Sequence, residues 1–157
     1  MSAKTNAMRI LEQHGIPYAV FTYPHHNEPV DGVSVAGLIG EAPEKVFKTL
    51  IARGGSGGVY AFVIPVSGEL NLKKAARAVG EKAVGMVPAR DIFGLTGYVR
   101  GGCSPVGMKK PCPVVFHESA ADFPAVTVSA GRIGLQIKAA PRDLLTLLDA
   151  KVSDLLL

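Results

Sequence analysis

The apolar positions of the chain fall into short blocks whose period switches repeatedly between that of a helix and that of a strand. Over residues 5–15, Ala7, Ile10, Leu11 and His14 recur at i, i+3, i+4 and i+7, which predicts an amphipathic helix stopped at Gly15. Residues 17–23 are β-branched and aromatic in character and predict a strand running into the polar loop 24–32. A short helix is expected over 34–39, capped by Ser34 and closed by Gly40. Residues 46–52 and 59–65 are two apolar runs around Arg53-Gly54-Gly55-Ser56-Gly57-Gly58, the composition of a hairpin loop. Asn71 predicts the cap of a helix through Val79, with Leu72, Ala75, Ala76 and Val79 as its apolar stripe and Gly80 as its stop. Short strands follow at 83–86, 113–116, 126–129 and 135–138, and Pro141 opens a last amphipathic helix carrying Leu144, Leu145 and Leu148. Six or seven short strands interrupted by helices, without regular βαβ alternation, predict an α+β fold built on a mixed, curled sheet. No repeat or linker divides it, so residues 1–157 are expected to form one domain.

Composition narrows the class. With 48% hydrophobic and 19% charged residues, the 157-residue chain lies far from the disordered regime and can bury a sizeable core without staples. Its longest apolar runs are much shorter than the ~20 residues that cross a bilayer. The opening Met-Ser-Ala-Lys-Thr-Asn-Ala-Met-Arg has no apolar core of a leader, so a cytoplasmic address is expected. Cys103 and Cys112 are then expected as free thiols, and their spacing makes no zinc cage. His25-His26, near Glu28 and Asp31, is the one conceivable metal cluster, and a polar loop accounts for it better; no metal and no cofactor are expected.

The net charge of +4 biases encounters toward polyanions, and its distribution says more than its total. Lys73, Lys74, Arg77 and Lys82 cluster in one stretch, Arg100, Lys109 and Lys110 in another. Both can be solvated faces or a basic side turned toward RNA. The second group lies within a glycine-rich loop, Thr96 to Lys110, with glycines at 97, 101, 102 and 107. Such a loop lets a ligand approach backbone N–H groups, the chemistry of holding a phosphate or a carbonyl oxygen; it also serves as a tight connection between strands. Lys48 lies inside the apolar run Val46-Phe47-Lys48-Thr49-Leu50-Ile51, either facing water from a half-exposed sheet or standing as a cation at a pocket mouth. No Gly-x-Ser-x-Gly elbow, phosphate-binding P-loop, His-Glu-x-x-His or dinucleotide fingerprint occurs. Nothing assigns a histidine to Cys103 as a base, so an enzyme built on this chain would work by positioning and backbone donors.

Several segments, taken in order, resemble the YbaK/EbsC family of freestanding aminoacyl-tRNA deacylases, related to the editing domain inserted in bacterial prolyl-tRNA synthetases. They are Phe21-Thr22-Tyr23, Lys45 to Leu50, Leu70-Asn71-Leu72-Lys73-Lys74, Thr96-Gly97-Tyr98 through Ser104-Pro105-Val106-Gly107, and Val128 to Leu135, spanning essentially the whole chain. The resemblance implies a mostly antiparallel, barrel-like sheet surrounded by helices and a cofactor-free hydrolase that clears cysteine mischarged on proline tRNA. The bound cysteine's own thiol would attack its ester and release the tRNA through a thiolactone. Lys48 matches the family's essential lysine. Tyr23, Thr49, Tyr98, Gly101, Gly102, Cys103, Ser129, Gly131 and Gln136 fall at substrate-binding positions, and Lys73, Lys74, Arg77, Arg100, Lys109 and Lys110 are the expected RNA contacts. Prolyl-tRNA synthetase is an expected partner.

The chain departs from the family at Gln136, where many members carry aspartate. An aspartate would hold the substrate's α-ammonium through a charge-assisted bond worth about 1.5–3 kcal/mol, against roughly 0.5–1.5 for a neutral amide. Either backbone carbonyls take over that role or the preferred aminoacyl group differs. The alternatives are a water-dependent deacylase for another small group, such as alanyl-tRNA(Pro), and a module that binds tRNA or a synthetase without chemistry.

Overall fold

The computed structural model describes residues 4–157; Met1, Ser2 and Ala3, part of the stretch read above as lacking a leader, lie outside the described residues. Helix α1 (Asn6–Gln13) starts where the Thr5 hydroxyl accepts the Met8 N–H at 3.2 Å, and it buries Ala7, Met8 and Leu11. Strand β1 (Ala19–Thr22) follows, then α2 (Gly32–Ile39). The cap of α2 is Asp31, whose carboxylate accepts both the N–H and the hydroxyl of Ser34, so Ser34 lies within the first turn rather than before it. Strands β2 (Phe47–Gly54) and β3 (Val59–Pro65) form the expected hairpin, and Asn71 caps α3 (Leu72–Val79) through the N–H groups of Lys73 and Lys74. Strand β4 (Val84–Met86) leads into α4 (Ala89–Thr96), and the glycine-rich loop connects α4 to β5 (Val114–His117). The chain closes through β6 (Val126–Arg132), β7 (Leu135–Ala139), α5 (Pro141–Leu148) and β8 (Lys151–Ser153).

The fold is α+β, as expected, and the curled sheet resolves into two. One is the antiparallel trio β1-β7-β6; the other has the order β4-β2-β3-β5-β8, antiparallel across β4-β2-β3 and parallel across β3-β5-β8. Among the described residues a single parallel bridge, Val46 to Thr127, joins them. The main core lies between the sheets, where Phe47, Ile51, Val63 and Phe116 meet Val126, Val128 and Ile137. The far face of the larger sheet carries a second core in which Ala75 and Ala76 of α3 pack on Ala52, Phe62 and Ile64.

The C-terminal segment is clasped to that far face by polar groups that all find partners. His117 Nδ1 accepts the Leu155 N–H at 3.1 Å. Lys74 Nζ donates to Asp154 Oδ2 at 2.6 Å and to the Leu156 carbonyl at 2.8 Å, and Asp154 Oδ1 accepts the Leu156 N–H at 3.3 Å. Hydrogen bonding to Lys74 holds the Asp154 carboxyl below the usual carboxylate range.

Candidate active site

Strand β2 is covered unevenly, and that unevenness makes the site. Val66 donates its N–H to the Val46 carbonyl and Gly54 donates to Gly58, both at 2.8 Å, so the even-numbered residues of β2 turn their backbone groups toward β3. Odd-numbered residues turn theirs to the opposite edge, where Val87 donates to the Ile51 carbonyl at 2.9 Å. That edge is paired by β4 only along Ala52–Gly54, and the bridge to β6 reaches only Val46. Around Thr49, therefore, no strand of the described residues covers it.

A pocket of roughly 440 Å³ opens against this bare edge. Its floor is Val46 and the first half of β2, Phe47 to Leu50, its far wall Ser129 and Gln136 of the smaller sheet, and its rim Arg100, Gly101 and Cys103 of the glycine-rich loop. Tyr23, Pro29, Asp31, Val35 and Val66 close the remaining side. Side chains alternate across a strand, so Thr49 faces inward with Phe47 and Ile51, while Lys48 and Leu50 share the other face with Ala52. Lys48 is half-buried and forms no ion pair or hydrogen bond with the described residues. Ser129 and Gln136 are register partners on β6 and β7, just before the bulge between Ser129 and Arg132.

Two buried polar atoms on the pocket-lining residues have no partner: Gln136 Oε1 and Thr49 Oγ1. Ser119 Oγ and Thr127 Oγ1 are likewise unpaired away from the pocket, so the signal is the combination: a vacant acceptor in a concave site points to a ligand that completes it. Gly101 has φ +87°, and a Cβ there would lie 2.9 Å from the Pro29 Cα; a side chain would be strained and would push the loop off the rim.

The side chains near the pocket that could act as nucleophiles are quiet. Burial pushes the Cys103 thiol up to about 11, with nearby Cys112 adding to the rise, so it stays protonated at neutral pH. The Ser129 hydroxyl accepts the Gly131 N–H at 3.2 Å, and no histidine lines the pocket. Asp31 is held below the ordinary carboxylate range, chiefly by the Ser34 hydroxyl, which makes it a weak base.

Of the substrate-binding positions expected from the sequence, Tyr23, Thr49, Gly101, Cys103, Ser129 and Gln136 meet at this pocket with Lys48. Tyr98, Gly102 and Gly131 lie outside its lining and support it. The Tyr98 hydroxyl donates to the Val106 carbonyl at 2.6 Å, and its ring fills the space a Cβ on Gly131 would need. Gly102 packs against the backbone of Arg132 and Ile133. Among the expected RNA contacts, Arg100 stands exposed on the rim, and Lys73 and Arg77 are exposed on α3, which covers the sheet face that also carries Lys48. Lys74 is engaged in the C-terminal clasp. Lys109 and Lys110 are exposed, their N–H groups tying the loop to Thr96 and Leu95 at 2.8 and 3.1 Å. Sequence reasoning missed the wall formed by Pro29, Asp31, Val35 and Val66; the Asp31–Ser34 capping spacing was the one available signal. Among the described residues no three His, Cys, Asp or Glu side chains gather as a metal site, and no helix is long and apolar enough to cross a membrane.

The sequence profile of the aminoacyl-tRNA editing domain matches residues 28–147. The chain belongs to the aminoacyl-tRNA editing family. As an editing domain it is an enzyme of the aminoacyl-tRNA deacylase class, with aminoacylated tRNA as its substrate. The Enterococcus faecalis protein EbsC, named for a proposed Cys-tRNA(Pro)/Cys-tRNA(Cys) deacylase activity, is 42% identical over 152 residues, which is 97% of this chain and 93% of EbsC. The YbaK/EbsC resemblance read from the sequence is thus correct. A crystal structure described as a proposed trans-editing enzyme for prolyl tRNA synthetase superposes with a TM-score of 0.84 at 28% identity, covering 99% of both chains. A hypothetical protein of known structure gives 0.83 at 28% identity, over 94% of this editing domain and 96% of its own chain.

Proposed function

We propose that this editing domain hydrolyses Cys-tRNA(Pro) in trans, using the substrate's own thiol as the nucleophile. The observation that supports this reading is the pocket's composition: an unpaired cation, two vacant buried polar atoms and a rim whose Gly101 leaves the backbone uncovered by a side chain, with no activated protein nucleophile. Lys48 orients the ester and the phosphate beside it. The cysteine sulfur attacks the ester carbonyl, and the developing oxyanion is met by N–H groups of the Gly101 segment. Collapse expels the ribose oxygen, which takes up the proton given up by the thiol; water then opens the thiolactone to free cysteine. Gln136 and Thr49 hold the α-amino end through neutral bonds, leaving part of the recognition to backbone carbonyls on the open edge of β2. Residues 1–157 act as one unit, and prolyl-tRNA synthetase delivers the tRNA, because so small a surface selects weakly among tRNAs on its own.

The test is the deacylation rate of cysteinyl-, alanyl- and prolyl-tRNA(Pro) with the purified protein and its Lys48→Ala variant. Fast, Lys48-dependent loss of cysteine alone is expected. Equal loss of alanine would replace thiol assistance with attack by water, and tRNA binding without any turnover would make the chain a binding module.

A further inference from the structure

The active-site pocket is not the end of the concavity. Where β4 leaves β2, the chain turns away through Val87 into α4 and exposes a second hollow of roughly 370 Å³, lined by Leu50, Ile51, Met86, Val87, Ala89 and Ile92. It shares Thr49, Leu50, Arg100, Gly101 and Cys103 with the first pocket, so the two form one trench along the bare edge of β2. The halves differ in chemistry. The first holds Lys48, Asp31, Ser129 and Gln136; the second is apolar except at the shared seam. Met86 pairs with Ala52 in register, which puts it on the same sheet face as Lys48 and Leu50. A line along that face therefore runs from a cation, over Leu50, to Ala52, about 13 Å away at the rise of an extended strand, with Met86 beside Ala52 on β4. Met86 is 46% exposed, leaving its thioether open at the floor of the hollow.

We infer that this second hollow is the subsite for the nucleobase of the tRNA's terminal adenosine. The inference rests on the editing reading, which places an aminoacyl ester in the first pocket. The ester is attached to a ribose, and the ribose carries a flat apolar base on one side and a phosphodiester on the other. With the ester at Lys48 and Gln136, the ribose lies at the seam by Gly101, and the base falls onto Leu50, Met86 and Ile92. Stacking on apolar and thioether surface is how bases are held without sequence readout. Arg100, exposed and unpaired among the described residues, stands at the seam where it meets the phosphodiester.

The methionine methyl groups report on this directly. Met86 and Met108 are assigned in the NMR spectrum of the full chain with Met86→Leu, and adenosine is titrated in against ribose. Adenosine is expected to shift the Met86 methyl through its ring current and to leave Met108 and buried Met8 in place; ribose shifts none of them. In parallel, Met86→Ser is expected to raise KM for aminoacylated tRNA about tenfold at little change in kcat, the loss of one stacking surface, and Met86→Leu to restore it. No Met86 shift at millimolar adenosine, or a loss in kcat with KM unmoved, would overturn the subsite. Because adenosine binding needs no ester cleavage, a Met86 shift without cysteine release would sink the deacylation reading and leave the subsite standing.

Discussion

Two of the partly buried polar clusters among the described residues, the C-terminal clasp and the pocket, are built on opposite principles. At the C-terminal clasp, His117, Lys74 and Asp154 are each satisfied by partners in the same chain. At the pocket, Lys48 has no partner among the described residues and the buried oxygens of Thr49 and Gln136 have none either. Burying a polar group without a bond costs about 1–3 kcal/mol, so the first cluster serves the fold and the second is a cost that the fold carries for its ligand. Polar residue type alone does not separate the two; completeness of bonding does.

Substitutions on either side sharpen that contrast. Lys48→Ala is expected to lower deacylation about 100- to 1,000-fold, the scale of losing a donor aimed at developing charge, while the thermal midpoint stays put because nothing in the fold leans on the amine. His117→Ala should do the reverse: stability falls by about 1–3 kcal/mol in urea unfolding as the Leu155 N–H loses its acceptor, with kcat retained. Gln136→Leu divides the two effects within one residue. It removes a buried acceptor that has no partner, so stability is unchanged or rises by up to about 1 kcal/mol, while kcat/KM for the cysteinyl ester drops roughly tenfold. A destabilised Gln136→Leu would mean that its amide serves the fold after all. The last effect is confined to alkali. Folding raises the Cys103 thiol from about 9 to about 11, so between those values the unfolded chain has released a proton that the folded one keeps. Stability is therefore full below pH 9 and declines toward pH 11, and Cys103→Ala should flatten part of that decline in midpoints measured across the range.

Much of the fold was legible because its signals are local. Asn71 with Gly80, Thr5 with Gly15 and the glycine-rich turn at 53–58 mark their elements with caps and stops that act within a few residues. Helix α4 escaped because Pro88 offers no side-chain cap and Gly94 interrupts its pattern; β8 escaped because three residues carry no period. The division into two sheets was not legible, since it depends on where β4 stops pairing with β2 and on one bridge at Val46. The site shows the same limit. Lys48 stood out as a cation in an apolar strand, and Gln136 as a departure from a family pattern. That Tyr98, Gly102 and Gly131 pack behind the pocket while Pro29 and Val66 line it is a matter of tertiary approach, which residue type does not encode.

The pocket draws Tyr23, Lys48, Gly101, Ser129 and Gln136 from segments scattered over more than a hundred residues. No fragment that stops short of β7 holds both the cation on β2 and the amide at Gln136. During synthesis the cavity is incomplete until β7 has emerged and paired with β1 and β6, so a nascent chain that ends before β7 lacks the wall that would hold an aminoacyl group beside Lys48.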